Sequence, residues 1–300
     1  MKRRHALLAT AAALAPWGAP ALAQAFPSKP LTLIVPFPPG GLADIVARPV
    51  AEALGRELGQ PVVIENKPGA GGGIGMGAAA KARPDGHTLL MALSSLTVIP
   101  EADALVGRAP LFALSDLRPI ARYTADPTVL VVRADAPWKS VQEFVEDARK
   151  RPAAIPYGSS GNYGTMHVPM EILLGGQIDA VSSGPATVLQ HIKAGKLRAL
   201  AHWGQGRLEA LPEVPSLKDA GFPAEYAQWS GLFIPTATPE PVAQRLRTAA
   251  RVAAQDAKVR EVIQNAGSPI LYQDSAEFEK YVQADARRMS DVVRRIGKVQ

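Results

Sequence analysis

The stretch LTLIVPFPPGGLAD at residues 31–44 decides the fold of this 300-residue chain. Its first five residues are apolar or β-branched, which is typical of a buried strand. After the proline- and glycine-rich turn, an apolar side chain recurs at every fourth position, which predicts one face of a helix. Those positions are Val46, Val50, Leu54 and Leu58. The stretch is therefore predicted to form a strand, a turn and a helix, the first unit of an α/β fold.

The alternation of short β-rich runs with longer helical patterns continues along the rest of the chain. Strands are predicted over residues 61–65, 87–92, 128–132, 155–157, 178–181 and 197–201. Helices are predicted in a small-residue segment ending at 80, over 141–149 and 188–194, and through most of the tail from 239. This alternation favours parallel sheets covered by helices on both faces. We predict two α/β lobes with a ligand cleft between them, the C-terminal helices returning to the first lobe.

The first 23 residues have the three parts of a secretory signal peptide. A basic start at 1–5 is followed by an apolar run over 6–15, which is too short to span a bilayer. Ala21-Leu22-Ala23 then supplies the small–x–small pattern of a cleavage site. We therefore predict cleavage after Ala23 and a periplasmic location. No later stretch approaches the roughly 18 consecutive apolar residues of a membrane span, so we expect a soluble product.

The composition excludes several classes of function. The chain has no cysteine, which removes thiolate nucleophiles and cysteine metal sites from consideration. Its net charge of +6 falls to +3 once Lys2, Arg3 and Arg4 leave with the signal peptide. This mild positive charge suits an anionic ligand, but only through a weak long-range field. No basic stripe with interleaved aromatic residues occurs, so we expect no nucleic-acid partner.

The loop between the first predicted strand and helix is the sharpest local feature. Its prolines stiffen the strand exit, and Gly40 and Gly41 let backbone N–H groups approach a ligand without obstruction. These amides lie at a helix N-terminus, where partial positive charge favours a carboxylate or phosphate. A tight turn without any ligand explains the same residues equally well. Asp44, in the first helical turn, either joins this site or only complements the helix dipole.

A second polar loop follows the predicted strand over 155–157 and precedes a helix. It offers hydroxyl groups, an amide and flexible backbone in one turn, from Ser159, Ser160, Gly161, Asn162, Gly164 and Thr165. Such groups can fix the far end of a small ligand, and a structural turn built from the same side chains is the alternative. Ser94, Ser182 and Ser183 also fall at strand exits, so we expect them in the same cleft.

Signatures of catalysis, cofactor binding and metal binding are missing from the sequence. Asn162 stands where a G-x-S-x-G nucleophile elbow needs its second glycine. The glycines over 69–77 lack the G-x-G-x-x-G spacing, and the histidines show no paired metal-ligand spacing. We therefore predict no enzyme activity, no cofactor and no metal. The alternative is an exported hydrolase using Ser159 or Ser160 with His167, which needs a base within hydrogen-bond reach.

Seven motifs, in order along the mature chain, resemble one family. The first is PFPPGG at 36–41 together with Asp44. The others are NKPGAGG at 66–72, PDGHTLL at 84–90, YGSSG at 157–161, LGGQID at 174–179, HIKAGKLRAL at 191–200 and LPEVPS at 211–216. Together they resemble the tripartite tricarboxylate transporter receptors, the Bug-type periplasmic solute-binding proteins. The resemblance covers essentially the whole mature chain.

The resemblance implies a type II periplasmic-binding-protein fold, in which two α/β lobes close on a ligand by hinge motion. It implies that the ligand is a di- or tricarboxylate, an amino acid or an aromatic acid, captured for a tripartite-type uptake system. The resemblance implies that the segment 37–41 holds one carboxylate through backbone amides, often with water. Its predicted ligand residues are Phe37, Pro39, Gly40 and Gly41. Residues 159–165 would supply contacts from the second lobe. We expect a monomer that membrane transporter subunits or a sensor recognise.

One departure from the family lies near residues 170–175. There the helix that starts near Thr165 runs directly into LLGG, where the family has a further strand and loop. Roughly two dozen residues are missing, the length of a strand and part of a helix. We therefore predict a shortened second lobe, and a ligand-independent sensory or interaction relic is the alternative function. The predicted domains are the signal peptide at 1–23, lobe 1 at 24–124 plus 227–300, and lobe 2 at 125–226.

Overall fold

The computed structural model describes residues 26–152, 154–158 and 176–296. The described residues form one sheet of six strands and one of four, with helices packed against them. These two sheets build the two lobes of the predicted α/β fold. The predicted signal peptide, the polar loop at 159–165 and the junction near 170–175 lie outside the described residues.

Ten strands and eight α-helices occur in the described part of the chain. The strands are β1 (Leu31–Val35), β2 (Val62–Asn66), β3 (Thr88–Leu93), β4 (Leu117–Pro127), β5 (Val129–Arg133), β6 (Tyr157–Gly158), β7 (Ala180–Ser183), β8 (Leu197–His202), β9 (Ala227–Pro235) and β10 (Ile270–Gln273). The helices are α1 (Leu42–Leu58), α2 (Gly73–Ala80), α3 (Ile99–Leu105), α4 (Val141–Lys150), α5 (Pro185–Lys193), α6 (Glu240–Gln255), α7 (Ala257–Asn265) and α8 (Ser275–Ile296).

The sheet of the first lobe is mixed, with the strand order β10-β4-β9-β3-β1-β2. β1 pairs in parallel with β2 and with β3, as predicted. β9 runs antiparallel to both β3 and β4, and β10 runs antiparallel to β4. The prediction of a parallel sheet was therefore wrong for β4, β9 and β10. The reason is that β9 returns from the second lobe and inserts between β3 and β4.

The sheet of the second lobe has the order β6-β7-β5-β8 and is also mixed. β5 is antiparallel to β7 and β8, whereas the two-residue edge strand β6 is parallel to β7. The helix predicted to begin at 188 begins three residues earlier, at Pro185. Proline is favoured at the first helical position because the N–H it lacks would have no partner there. The N-terminus of α5 therefore directly follows Gly184 at the exit of β7.

The C-terminal helices return to the first lobe, as the sequence predicted. α1 packs against α6 and α7, and α8 packs on β4. On β9, Trp229 and Phe233 meet Phe278 of α8, with ring centroids 5.3 Å and 5.2 Å apart. All three side chains are fully buried, so the return of the chain completes the core of the first lobe.

Two neighbouring segments connect the lobes. The chain leaves the first lobe where β4 passes into β5, and it returns at the start of β9, where Pro127 pairs with Ala227. The Trp203 N–H donates to Thr128 O and the Tyr226 N–H donates to Trp203 O, each at 2.9 Å. We propose that this narrow crossing, called the hinge below, is where the lobes move relative to each other. The predicted lobe boundaries at 124/125 and 226/227 lie beside it and stay a proposal.

Candidate functional site

Asp44 organises the loop between β1 and α1. It is 2% exposed, and its Oδ2 accepts hydrogen bonds from the Gly40 N–H at 2.9 Å and Arg48 Nε at 2.8 Å. Its Oδ1 accepts from a second guanidinium nitrogen of Arg48 at 3.0 Å and from Asn66 Nδ2 at 3.2 Å. These bonds turn the carboxylate toward its own loop. Its predicted contact with a ligand stays a prediction.

The Asp44 carboxyl remains ionised because its partners outweigh its burial. Burial acts to raise its pKa, but hydrogen bonds from Arg48, Gly40 and Asn66 together with the positive charge of Arg48 lower it below its ordinary value. A charged Asp44 in the first turn of α1 also complements the helix dipole. The loop is therefore held by a fixed negative charge.

Two further contacts fix the loop backbone. Asn66, at the exit of β2, donates through Nδ2 to the Phe37 carbonyl oxygen at 3.0 Å. Gly72 lies against the Phe37 ring, since a Cβ on Gly72 would come within 2.8 Å of the ring. Gly40 has a φ of 84°, a conformation that glycine adopts without strain. The loop is thus a rigid structure whose amides face a defined direction.

A pocket between the lobes brings this loop to the N-terminus of α5. Its lining residues are Phe37, Pro38, Gly41, Leu42, Ala43, Leu93, Ser183, Gly184, Thr187 and Gln228. Gly41 and Gly184 are the N-caps of α1 and α5, and neither helix has a side-chain cap. None of the described lining residues is charged, so the charge complement that the wall offers an anion is the backbone amides of two helix N-termini.

The pocket is narrow in this arrangement. Its volume is about 30 Å³, room for about one water molecule. Residues of both lobes are therefore close together here.

Of the two serines predicted at the exit of β7, only Ser183 lines the pocket. Its hydroxyl lies 2.6 Å from Thr187 Oγ1, which in turn donates to the Gly184 carbonyl oxygen at 2.9 Å. Ser182 points to the opposite face of the strand, where it acts to lower the pKa of the Tyr157 phenol against the rise caused by burial. Strand alternation thus gives the two neighbouring serines different surroundings.

Ser94 lies beneath the pocket rather than in its wall. It is 2% exposed, and its hydroxyl lies 2.7 Å from the Tyr226 phenol. Burial raises the pKa of Tyr226 to about 12, so this phenol stays neutral. Since Tyr226 immediately precedes β9, Ser94 connects the exit of β3 to the hinge. Its predicted contact with a ligand stays a prediction.

Pro39 is exposed on the rim of the first loop, outside the pocket lining. The predicted ligand residues Ser159, Ser160, Gly161, Asn162, Gly164 and Thr165 lie outside the described residues, as does the hydrolase candidate His167. The sequence reasoning missed Leu93, Thr187 and Gln228 as parts of the pocket wall. For Thr187 a signal existed, because it follows the predicted strand exit at Ser183 by one helical turn.

The described residues contain no cluster of three or more histidine, aspartate or glutamate side chains that could hold a metal ion. Within the same residues, every helix is too short or too polar to cross a membrane.

The fold and the pocket define a class, the two-lobed solute-binding proteins that hold a ligand between their lobes. The chain belongs to the tripartite tricarboxylate transporter family of receptors, whose pattern it matches over residues 46–174 and 170–298. Members of this family are periplasmic solute-binding receptors, a class distinct from enzymes.

Individual relatives agree with this assignment. A UPF0065 protein of Bordetella pertussis is 31% identical, with 92% of each chain covered. BugT of the same organism is 30% identical over 99% of this chain and 98% of its own. MatC of Rhodopseudomonas palustris, solved with bound malate, has a TM-score of 0.81 at 26% identity, covering 89% of this chain and 99% of its own. A second R. palustris protein, solved with adipate, has a TM-score of 0.82 at 25% identity, covering 89% and 97%.

The comparisons also bear on the predicted loss near 170–175. The family match comes in two parts, which meet at residues 170–174. The alignment with BugT runs over 321 positions and uses 99% of this 300-residue chain, so about 24 positions have no counterpart here. The loss near 170–175 itself stays a prediction.

Proposed function

We propose that the chain is a periplasmic receptor that captures a small carboxylate, with dicarboxylates the first class to test, for a tripartite-type uptake system. The observation that carries the proposal is the meeting of two uncapped helix N-termini, one from each lobe, in one pocket. Backbone amides at such termini bind anions without a basic side chain. A ligand with two carboxylates can engage both ends at once.

The neutral lining supports recognition by hydrogen bonds. Ser183, Thr187 and Gln228 supply hydroxyl and amide groups beside the helix termini. A carboxylate here would accept charge-assisted hydrogen bonds from N–H donors. The malate and adipate bound to the two R. palustris relatives are both dicarboxylates. They are therefore the first ligands to test on this chain.

Ligand binding would act through the hinge. The pocket walls come from both lobes, so a ligand between α1 and α5 stabilises the closed arrangement over the open one. A membrane partner that recognises the closed arrangement then distinguishes loaded from empty receptor. We propose that the receptor acts as a monomer and that its N-terminal 23 residues are removed on export.

A second candidate function is a relic that presents a surface to a sensor or partner without binding a ligand. The predicted loss of roughly two dozen residues near 170–175 favours it, because such a loss would shorten the second lobe. Such a protein would fold cooperatively, and small acids would leave its stability unchanged.

Thermal unfolding of the mature protein against a panel of acids separates the two functions. A ligand at 100 times its Kd adds about 2.7 kcal/mol of stability, a clear rise in melting temperature. We expect malate, adipate or a related acid to produce this rise in the wild type and in Ala237→Leu, an exposed control. Gly41→Leu should lose the rise because its side chain fills the pocket. A cooperative transition that no acid shifts would support the relic instead.

A further inference from the structure

Asp126 is a buried carboxyl group at the hinge with no role in the pocket described above. It is 0% exposed and lies one residue before the end of β4, where the chain crosses to the second lobe. Neither of its carboxylate oxygens has a hydrogen-bond partner. Directly opposite on β9 is Gln228, whose side chain lines the pocket. An unpaired buried carboxylate is costly, so its position needs an explanation.

The surroundings of Asp126 favour its protonated form. Burial raises its pKa to about 6, partly offset by the hydroxyls of Ser268 and Thr124 and by the positive charge of Arg122. Arg122 and Thr124 belong to β4 itself, Ser268 comes from the turn after α7, and Gln228 on β9 is uncharged. Neither hydroxyl forms a hydrogen bond of normal geometry with the carboxyl group, and Ser268 Oγ is itself buried without a partner.

A contact between the lobes covers this site. Gly267, next to Ser268, lies against Leu189 of α5, since a Cβ on Gly267 would come within 2.7 Å of Leu189 Cδ2 and 3.5 Å of Ala210 Cβ. Leu189 belongs to the core of the second lobe. Movement of α5 away from the first lobe would therefore uncover the turn that shields Asp126.

We propose that Asp126 is a proton-binding site at the hinge, and that its protonation favours the closed arrangement of the lobes. In the open arrangement, water reaches the carboxylate and stabilises its charge. In the closed arrangement, the Gly267–Leu189 contact excludes water and the neutral acid is favoured. The consequence for ligand affinity rests on the proposed function, whereas the effect on the lobes themselves does not.

The sign of the pH dependence follows from linkage. Because the closed state binds the proton more tightly than the open state, a rise in pH through about 6 shifts the lobes toward opening. A ligand that requires the closed state then binds more weakly above that pH. By reciprocity, ligand binding is accompanied by proton uptake.

The first test uses the ligand-free protein, so it is independent of the proposed ligand. We expect small-angle X-ray scattering to give a larger radius of gyration at pH 8 than at pH 5, with a midpoint near 6. Asp126→Asn, a neutral isostere, should keep the compact value across this range. Ser268→Ala should move the midpoint upward, because it removes a group that favours the charged form.

The control Asp135→Asn, which changes a carboxyl group that is 71% exposed, should behave as the wild type. A wild-type radius that does not change, or an equal change in Asp126→Asn, would overturn the proposal.

The second test measures the dissociation constants of malate and adipate between pH 5.5 and 8. For the acid that binds, the Kd of the wild type should rise roughly fourfold relative to that of Asp126→Asn over this range, as expected for a closed-state pKa of about 6. Taking the ratio of the two proteins cancels the titration of the acid itself. A ratio that stays constant with pH would refute the link to affinity. If neither acid binds any variant while the scattering result holds, the proposed ligand class fails and the hinge site stands.

Discussion

A single carboxylate, that of Asp44, sets the shape of the first ligand loop. It connects the loop through Gly40, the helix through Arg48 and the neighbouring strand through Asn66. Because all these bonds are to a buried charge, each is stronger than its neutral equivalent. The pocket-facing amides of α1 depend on this residue even if no ligand atom touches it.

Replacing Asp44 with asparagine should destabilise the protein by about 1–3 kcal/mol at pH 7, because Arg48 loses its charged partner and the Gly40 N–H a strong acceptor. The pKa of Asp44 is lowered in the folded state, so its stabilising effect is present above the unfolded pKa of about 3.9. The effect disappears as the pH falls through the lower folded value. Urea unfolding of wild type and Asp44→Asn should therefore differ at pH 7 and converge in strong acid.

The matched control for this prediction is Asp135→Asn. Like Asp44, Asp135 pairs with an arginine, in this case Arg133. The Asp135 side chain, however, is 71% exposed. Exposed ion pairs contribute little, so we expect a change within about 0.5 kcal/mol. Equal losses in the two variants at pH 7 would show that Asp44 has no special role in the loop.

Single residues also mark the limit of prediction from the sequence. The serines at strand exits were predicted as a group, but strand alternation separates Ser182 from Ser183, and Ser94 turns toward Tyr226. Their directions depend on where each strand ends, which local patterns give only to within a few residues. Gln228 was missed because its strand comes from a distant part of the chain.

At the scale of elements, glycine has different roles in the loop between β1 and α1 and at the N-terminus of α5. Gly40 provides a left-handed turn, with a φ of 84°. Gly41 has a φ of −80°, and a Cβ there would meet only Pro38 O, at 3.8 Å. Gly184 has a φ of −68° and open space around it. The backbone conformation therefore does not require glycine at either N-cap. We infer that glycine is present there because a side chain would occupy space in the pocket.

Alanine at positions 40 and 41 should separate these roles. Gly40→Ala forces a Cβ into a left-handed turn and should lower the free energy of unfolding by about 1–2 kcal/mol. Gly41→Ala should leave that free energy within about 0.5 kcal/mol of the wild type. It should nevertheless weaken binding of whichever acid stabilises the wild type, because its methyl group enters the pocket. Denaturant unfolding and binding of that acid should be measured on both variants. If Gly41→Ala changes stability but leaves binding intact, the proposed difference between the two glycines is wrong.

The elements themselves were predictable where local patterns determine them. β1, α1, β2 and β3 lie within a residue or two of their predicted positions, because apolar periodicity and the glycine turns are local signals. β4 and β9 were not predicted as strands. β4 contains Pro119 and ends at Pro127, and β9 has its partners more than a hundred residues away in the sequence. Their antiparallel pairing is a property of the tertiary structure.

At the scale of the whole molecule, the proposed function depends on movement of the two lobes about the narrow crossing between them. Pro127 and Ala227 pair where the two connections run side by side. We propose that the lobes move about this ribbon. The predicted loss near 170–175 lies outside the described pocket walls from α1 and α5. We therefore expect a shortened second lobe to retain the carboxylate-binding end formed by Gly184, Ser183 and Thr187.

The central claim is that a small dicarboxylate binds between the two helix N-termini. Isothermal titration calorimetry of the mature protein with malate and with adipate tests it most directly, with Gly184→Leu as the variant that fills the second-lobe side of the pocket. We expect saturable binding of one acid per chain in the wild type and its loss in Gly184→Leu, with cooperative unfolding kept in both. Binding that Gly184→Leu leaves unchanged would place the ligand elsewhere, and the absence of binding by a cooperatively folded wild type would contradict the claim.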